Sequence, residues 1–285
     1  MLKTKKLVQE KNGEWLLTQM GKEIADELRI LRPPIYYWYQ DFYAAIENSR
    51  AFDEYSKRVF SANFGQHGFS DVHQIQKMLE LLKLSKRSKV LEIGCGNGKM
   101  AEYISDLTQA SVTGIDYIPE AIEQATRRTQ NKRNRLNFKV ANLEFLDFTP
   151  ESFDAIISVD TIFFGRKMAA TITGLNRILK AGGQIAIFNG NYQQEDFLAD
   201  LAANNLTYDV YDFGPGHIKH MLLKHHVAKE LENAFKAEGN AFVWQNLMAE
   251  SFSDLNFPSQ PDYDPKARYL YVAKKSCNGS INNKS

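Results

Sequence analysis

The chain has little cysteine: only Cys95 and Cys277 among 285 residues. Two thiols support neither a disulfide framework nor a Cys-rich zinc site, and such sparing use fits a reducing, cytoplasmic setting. An excess of charge of either sign is also missing. The 35 basic side chains meet 34 acidic ones, so no global field draws the chain to nucleic acid or to anionic membrane, and any polyanion contact has to be local. No segment approaches the ~18 apolar residues of a membrane span. The stretch Met1-Leu2-Lys3-Thr4-Lys5-Lys6-Leu7-Val8 has charge but no apolar centre of signal-peptide length. Histidines gather once, as His217, His220, His225 and His226, without a carboxylate or cysteine at ligand spacing before Glu230, so no metal is expected. What is plentiful is apolar content: 44% of residues can fill the core of one large α/β domain with appendages.

The most informative stretch is Lys89-Val90-Leu91-Glu92-Ile93-Gly94-Cys95-Gly96-Asn97-Gly98. An apolar strand that carries an acidic residue and ends in alternating glycines makes a backbone that a ligand can approach, because a Cβ at those positions would collide with it. Downstream, strand and helix patterns alternate, which favours a parallel sheet with right-handed crossovers. Strand one is Lys89 to Ile93, strand two Ser111 to Asp116, strand three Leu136 to Val140 and strand four Phe153 to Asp160. Strand five, Gln184 to Phe188, follows a Gly182-Gly183 pair that reads as a helix stop.

These residues resemble motif I of the class I S-adenosylmethionine (SAM) dependent methyltransferases, an acidic residue followed by Gly-x-Gly-x-Gly, here Glu92, Gly94, Gly96 and Gly98. The resemblance runs nearly end to end over residues 89 to 188. It implies a Rossmann-like α/β fold: a seven-stranded, mostly parallel sheet with helices on both faces, a helical N-terminal cap and a lid insertion after strand five. It implies SAM as cofactor, held by Glu92, Gly94, Cys95, Gly96 and Gly98, by Asp116 and Tyr117 after strand two, by Asn142 and Leu143 after strand three, and by Asp160 after strand four. Asp116 would accept hydrogen bonds from the ribose hydroxyls and Asn142 would meet the adenine amino group. A nicotinamide-binding Rossmann loop fits less well. Its third glycine would fall one residue later, and Glu92 would repel a pyrophosphate but attract the amino group of SAM.

Around this core the sequence predicts a cap over residues 1–70, the main domain over 71–274 with a helical insertion near 204–240, and a polar, disordered tail over 275–285. Lys11-Asn12-Gly13-Glu14 predicts a hairpin turn. Thr18 is placed to cap a helix through Met20, Ile24, Leu28 and Leu31. Hairpin and helix together resemble the wing of a winged-helix domain, but no recognition helix fits upstream of residue 7. The segment is therefore read as a cap or as the arm of a homodimer. The run Ile35-Tyr36-Tyr37-Trp38-Tyr39-Gln40-Asp41-Phe42-Tyr43 buries most of its rings, with Tyr37 and Tyr39 as candidates to face a cationic or sulfonium centre. Gln66 to Ser70 looks like the loop that folds over the cofactor in the small-molecule enzymes of this class, which makes Gln66 and Gly68 cofactor candidates and His67 a substrate contact or base.

In the insertion, His217 and His220 are general-base or substrate candidates. Ala241 to Asn246 and Arg268 to Ala273 are expected as the last two strands, paired antiparallel at the sheet edge. The expected function is methyl transfer by in-line displacement to an N, O or C nucleophile of a small molecule. Asp160-Thr161-Ile162-Phe163 stands where an Asn-Pro-Pro-Tyr would mark adenine or glutamine amide methylation, and no Pro-Cys pair is present for attack on cytosine. Two rivals stand beside it: an RNA methyltransferase using Arg127, Arg128, Lys132, Arg133 and Arg135, whose commoner meaning is an exposed helix face, and a non-catalytic SAM-binding regulator.

Overall fold

A computed structural model describes residues 7–11, 13–22, 33–190, 194–256 and 264–277. The chain divides into two compact units, residues 1–42 and 43–285. In the first, β1 (Val8–Lys11) and β2 (Glu14–Leu17) form an antiparallel hairpin in which Lys11 pairs with Glu14. The two-residue turn that this register leaves includes Gly13 at φ +81°, as the Asn-Gly pair predicts. The Thr18 hydroxyl accepts the Gly21 N–H at 3.0 Å, capping the start of a helix whose continuation over 23–32 lies outside the described residues. Helix α1 (Pro34–Ile46) begins in this unit and carries the aromatic run, with Trp38 stacked on Phe42 at 5.1 Å.

The second unit is built on a seven-stranded sheet. Its strands are β3 (Lys89–Ile93), β4 (Ser111–Asp116), β5 (Leu136–Val140), β6 (Phe153–Val159), β7 (Leu179–Asn189), β8 (Leu206–Asp212) and β9 (Tyr269–Lys275), in the order β5-β4-β3-β6-β7-β9-β8. Only β9 runs against the rest. The central strands are buried almost throughout, which is why they read as unbroken apolar runs rather than alternating ones. Leu91, Ile93, Ile156, Ile185 and Ile187 lead the core beneath them. The connecting helices are α2 (Arg50–Phe60), α3 (Val72–Leu82), α4 (Lys99–Thr108), α5 (Pro119–Arg128), α6 (Met168–Ile178) and α7 (Gln194–Ala203). Three more, α8 (Gly214–Glu230), α9 (Glu232–Ala237) and α10 (Ala241–Asn256), fill the stretch between β8 and β9. The chain leaves β3 toward β4 on one side and later adds β6 on the other. That reversal opens a crevice at the carboxyl ends of β3 and β6, the place where α/β sheets bind ligands.

Two local expectations are corrected. Residues 241–246 are helical: Val243, Leu247 and Ser251 are buried four residues apart, a helical stripe that a window of six residues is too short to reveal. The outer edge strand is instead Leu206–Asp212, paired antiparallel with β9. The Gly182-Gly183 pair does not stop a helix, which ends already at Ile178; it lies inside β7, with Gly182 at φ +75° where the pairing with β6 shifts register. The Gly214-Pro215-Gly216 turn opens α8, with proline in the first turn where its missing N–H costs nothing.

Candidate active site

The glycine loop follows β3 directly, and Gly94, Gly96 and Gly98 all have positive φ, at 68°, 52° and 73°. A Cβ on Gly94 would stand 2.1 Å from Thr161 Cγ2, and one on Gly96 2.2 Å from the Tyr43 hydroxyl. The glycines are therefore required by close packing of the protein on itself as well as by backbone conformation. Asp116, at the end of β4, fastens this loop. Its Oδ2 accepts the Gly96 N–H at 2.9 Å and its Oδ1 accepts the Ile118 N–H at 2.9 Å. Each oxygen retains a lone pair for a further donor. Burial raises the Asp116 carboxyl to about 6, and the N–H groups of Ile118, Gly96 and Tyr117 pull it back.

Glu92 lies deeper, 3% exposed, and its Oε2 has no hydrogen-bond partner. Burial, then the charge of Asp116, lifts its carboxyl to about 8. A buried acceptor without a donor costs free energy until one arrives. A ligand ammonium would supply it. Cys95 points into the sheet against Gly114, and burial holds its thiol well above the usual range, so it is an inert packing group.

The segment from Asn63 to Asp71 crosses this crevice. A Cβ on Gly65 would meet Asn97 Oδ1 at 2.3 Å, and one on Gly68 would meet Asp160 Oδ2 at 2.8 Å. The loop is thus pinned to the glycine loop at one end and to the residue after β6 at the other. The Phe69 N–H donates to Asp160 Oδ2 at 3.0 Å, and the Gln66 amide donates to the Ser70 carbonyl at 2.6 Å. Asp71, not Ser70, caps α3, accepting the Gln74 N–H at 2.8 Å.

Asp160 is also gripped by Arg268, whose guanidinium forks onto both carboxylate oxygens, reaches the Ser70 hydroxyl and donates to Gln74 Oε1 at 3.1 Å. Arg268 is 2% exposed. It reaches this end of the sheet because β9 is antiparallel, so its first residue, Tyr269, pairs with Asn189 at the carboxyl end of β7. Sequence reasoning missed this arginine. Its only signal was a charged residue directly before an apolar strand.

Helix α8 brings His217 and His220 into the same region, both buried. Burial and the nearby Arg268 and Lys224 cations depress His217 to about 4; burial and Lys224 depress His220 to about 3. Lys224, fully buried on the same face, donates to the Gly68 carbonyl at 2.9 Å and to Glu250 Oε2 at 2.6 Å. His67 Nε2 lies 3.6 Å from Glu250 Oε1. The structure therefore gathers Gly68, Asp160, His67, His217 and His220, together with Lys224, Glu250 and Arg268, which were not singled out in the sequence. Lys224 was legible in principle, being four residues beyond His220 and so on the same helical face.

The Asn142 side chain accepts the Glu144 N–H at 2.9 Å, and Leu143 is half-buried beside it, both past the end of β5. Tyr37 and Tyr39 lie on α1 within the first unit. The basic residues between β4 and β5 are committed to neighbours: Arg127 to Glu47, Arg128 to Glu102 at 2.9 Å, Lys132 to Glu102 at 2.8 Å, and Arg135 to Asp106 at 3.2 Å. No group of three or more His, Cys, Asp or Glu side chains among the described residues is arranged to hold a metal ion.

Residues 90–183 match a family model described as a methyltransferase domain. Among curated proteins, the ubiquinone/menaquinone biosynthesis C-methyltransferase UbiE of Geobacter sp. is 38% identical over 112 residues, 36% of this chain and 46% of that protein. The methyltransferase GfsG of Streptomyces halstedii is 29% identical over 114 residues, 39% of this chain and 41% of that protein. The match thus spans less than half the length of these relatives. Among solved structures, phosphoethanolamine N-methyltransferase 2 of Haemonchus contortus in complex with S-adenosyl-L-methionine superposes with a TM-score of 0.65 at 18% identity, covering 84% of this chain and 60% of that one. In its glycine loop, its strand order and these matches, the stretch over residues 90–183 is similar to a methyltransferase domain.

Proposed function

We propose that the chain is a SAM-dependent methyltransferase that acts on a small molecule. The observation that carries this reading is the pair of buried carboxylates at the glycine loop: Asp116, bound to the Gly96 N–H with lone pairs to spare, and Glu92, whose Oε2 has no partner. Bound SAM would supply an electrophilic methyl group on a sulfonium, a leaving group that needs no acid. The protein's part is then orientation and exclusion of water from the acceptor. Glu92 and Asp116 hold the two polar ends of the cofactor. The loop around Gln66 and Gly68, locked by Asp160 and Arg268, covers the crevice.

A base is needed only where the nucleophile arrives protonated. His217 is the candidate, and the cations beside it keep it neutral, so it can accept a proton but binds it weakly until the acceptor alters the local charge. His67 and His220 are read as acceptor contacts. The N-terminal 70 residues are read as a cap that can also serve as a dimer arm.

The test is to incubate the protein with methyl-labelled SAM and cell extract, then to separate small molecules, protein and nucleic acid. Label in the small-molecule fraction is expected. Label confined to nucleic acid, or none despite bound SAM, overturns the reading.

A further inference from the structure

Helix α8 buries polar side chains alongside its apolar Met221, Val227 and Ala228. His217, His220 and Lys224 are buried, while Ile218 is 40% and Leu222 54% exposed. Burying three polar side chains and exposing two apolar ones costs free energy on both counts. Facing this stripe from α2 is Tyr55, also fully buried. Three buried polar atoms of this group have no hydrogen-bond partner: Tyr55 Oη, His217 Nδ1 and His220 Nε2. They share a lining of rings. The His220 ring lies 5.5 Å from Phe60, Phe60 lies 6.1 Å from Tyr55, and His217 lies 5.5 Å from Phe69. Lys224 Nζ stands 4.2 Å from the Phe69 ring and 5.9 Å from that of Phe60.

The chemistry left over in the cluster is donor chemistry. Its carboxylates already face donors or cations: Glu250 accepts from Lys224, and Asp160 accepts from Arg268 and the Phe69 N–H. Burial and the charge of Glu250 drive Tyr55 well above its usual range, so its hydroxyl stays a donor. A neutral imidazole places its one N–H on either nitrogen, so each histidine can donate from its orphaned atom. Lys224 makes two hydrogen bonds to protein and has a third N–H. The two cations, Lys224 and Arg268, balance the two carboxylates, so an incoming anion meets no net negative charge. Several convergent donors complement a group that only accepts.

We propose that Tyr55, His217, His220 and Lys224 form a head-group subsite for the methyl acceptor, and that the group it takes is an anionic oxygen group, a carboxylate or a phosphate. The inference rests on the methyltransferase reading, since Lys224 bonds the carbonyl of Gly68, in the loop that also packs on Asn97 of the glycine loop and on Asp160.

The test uses the full chain saturated with S-adenosylhomocysteine (SAH), whose binding is measured separately by calorimetry. Inorganic phosphate and acetate are titrated at constant ionic strength against chloride while the histidine ring signals are followed by NMR. Saturable movement of the His217 and His220 signals is expected with at least one anion, phosphate alone marking a phosphate head and acetate alone a carboxylate. Tyr55→Phe removes one unpaired buried hydroxyl, so the variant should be at least as stable as the parent while the anion dissociation constant rises about tenfold. His220→Leu gives a second, independent loss. No saturable movement with either anion while SAH still binds overturns the subsite alone, as does unchanged anion affinity in both variants. Failure of SAH to bind overturns the methyltransferase reading beneath it.

Discussion

Between pH 6.5 and 8 the ligand-free protein should lose stability as pH rises, and Glu92→Gln should remove that loss. Glu92 is raised in the fold from 4.5 to about 8. The folded state therefore holds a proton that the unfolded chain has released, and this contribution is present below pH 4.5 and lost as pH rises through 8. Asp116, raised from 3.8 to about 6, acts in the same sense over a lower window. His217 and His220, lowered from 6.5 to about 4 and about 3, act in the opposite sense, because the unfolded chain takes up protons there that the fold refuses. Their contribution grows with pH and at 6.5, where the unfolded imidazole is half protonated, is still about 0.4 kcal/mol per histidine short of complete. Above that point Glu92 is the largest of the four titrations. One proton changes stability by about 1.4 kcal/mol per pH unit, and the slope tapers toward the folded value. The net fall from pH 6.5 to 8 is thus about 1 kcal/mol, the histidines offsetting about half of a Glu92 loss of about 1.5 kcal/mol.

Urea unfolding at constant ionic strength across these pH values measures it directly. In Glu92→Gln the curve should lack the Glu92 loss. Saturating SAH should also flatten it, since an ammonium beside Glu92 favours the carboxylate and gains affinity as that carboxyl ionises. If the variant falls as steeply as the parent, Glu92 is not the buried, protonated group described above.

Asp116→Ala should weaken SAH binding about 10- to 100-fold by calorimetry, because it removes charge-assisted acceptors for ribose and frees the Gly96 N–H. Asp116→Asn, which retains one acceptor oxygen, should fall between; unchanged affinity in the alanine variant would remove the ribose assignment. Arg268→Met should cost about 3–5 kcal/mol in denaturant unfolding, because Asp160 is left charged and buried. Arg268→Met with Asp160→Leu should recover much of that loss, and equal costs for the single and double variants would show that the ion pair is not what the arginine contributes.

Local chemistry was enough to read the central half of this protein. An apolar run flanked by glycines or carboxylates is a buried parallel strand whatever surrounds it, and the offsets among Glu92, Gly94, Gly96, Gly98 and Asp116 are set by a single strand-loop-helix-strand unit. The hairpin turn at Gly13 and the cap at Thr18 were legible for the same reason, since each is decided within four residues. Where the chain was misread, the decision was made at a distance. Ala241 to Asn246 suits a strand by composition, and it is helical because Val243, Leu247 and Ser251 pack inward at helical spacing. Leu206 to Asp212 joins the sheet only because β9 returns antiparallel and offers it an edge. Arg268 and Glu250 could not be assigned from their neighbours in sequence, and Lys224, though legible as sharing a face with His220, takes its meaning from a partner as they do: Arg268 meets Asp160 108 residues away, and Lys224 meets Gly68 156 residues away. The glycine loop is thus a property of the sequence, whereas the buried polar cluster beside it exists only once the fold brings α2, α8, α10 and the start of β9 together. A buried charge is stable only against a specific counter-charge, and only tertiary structure supplies one.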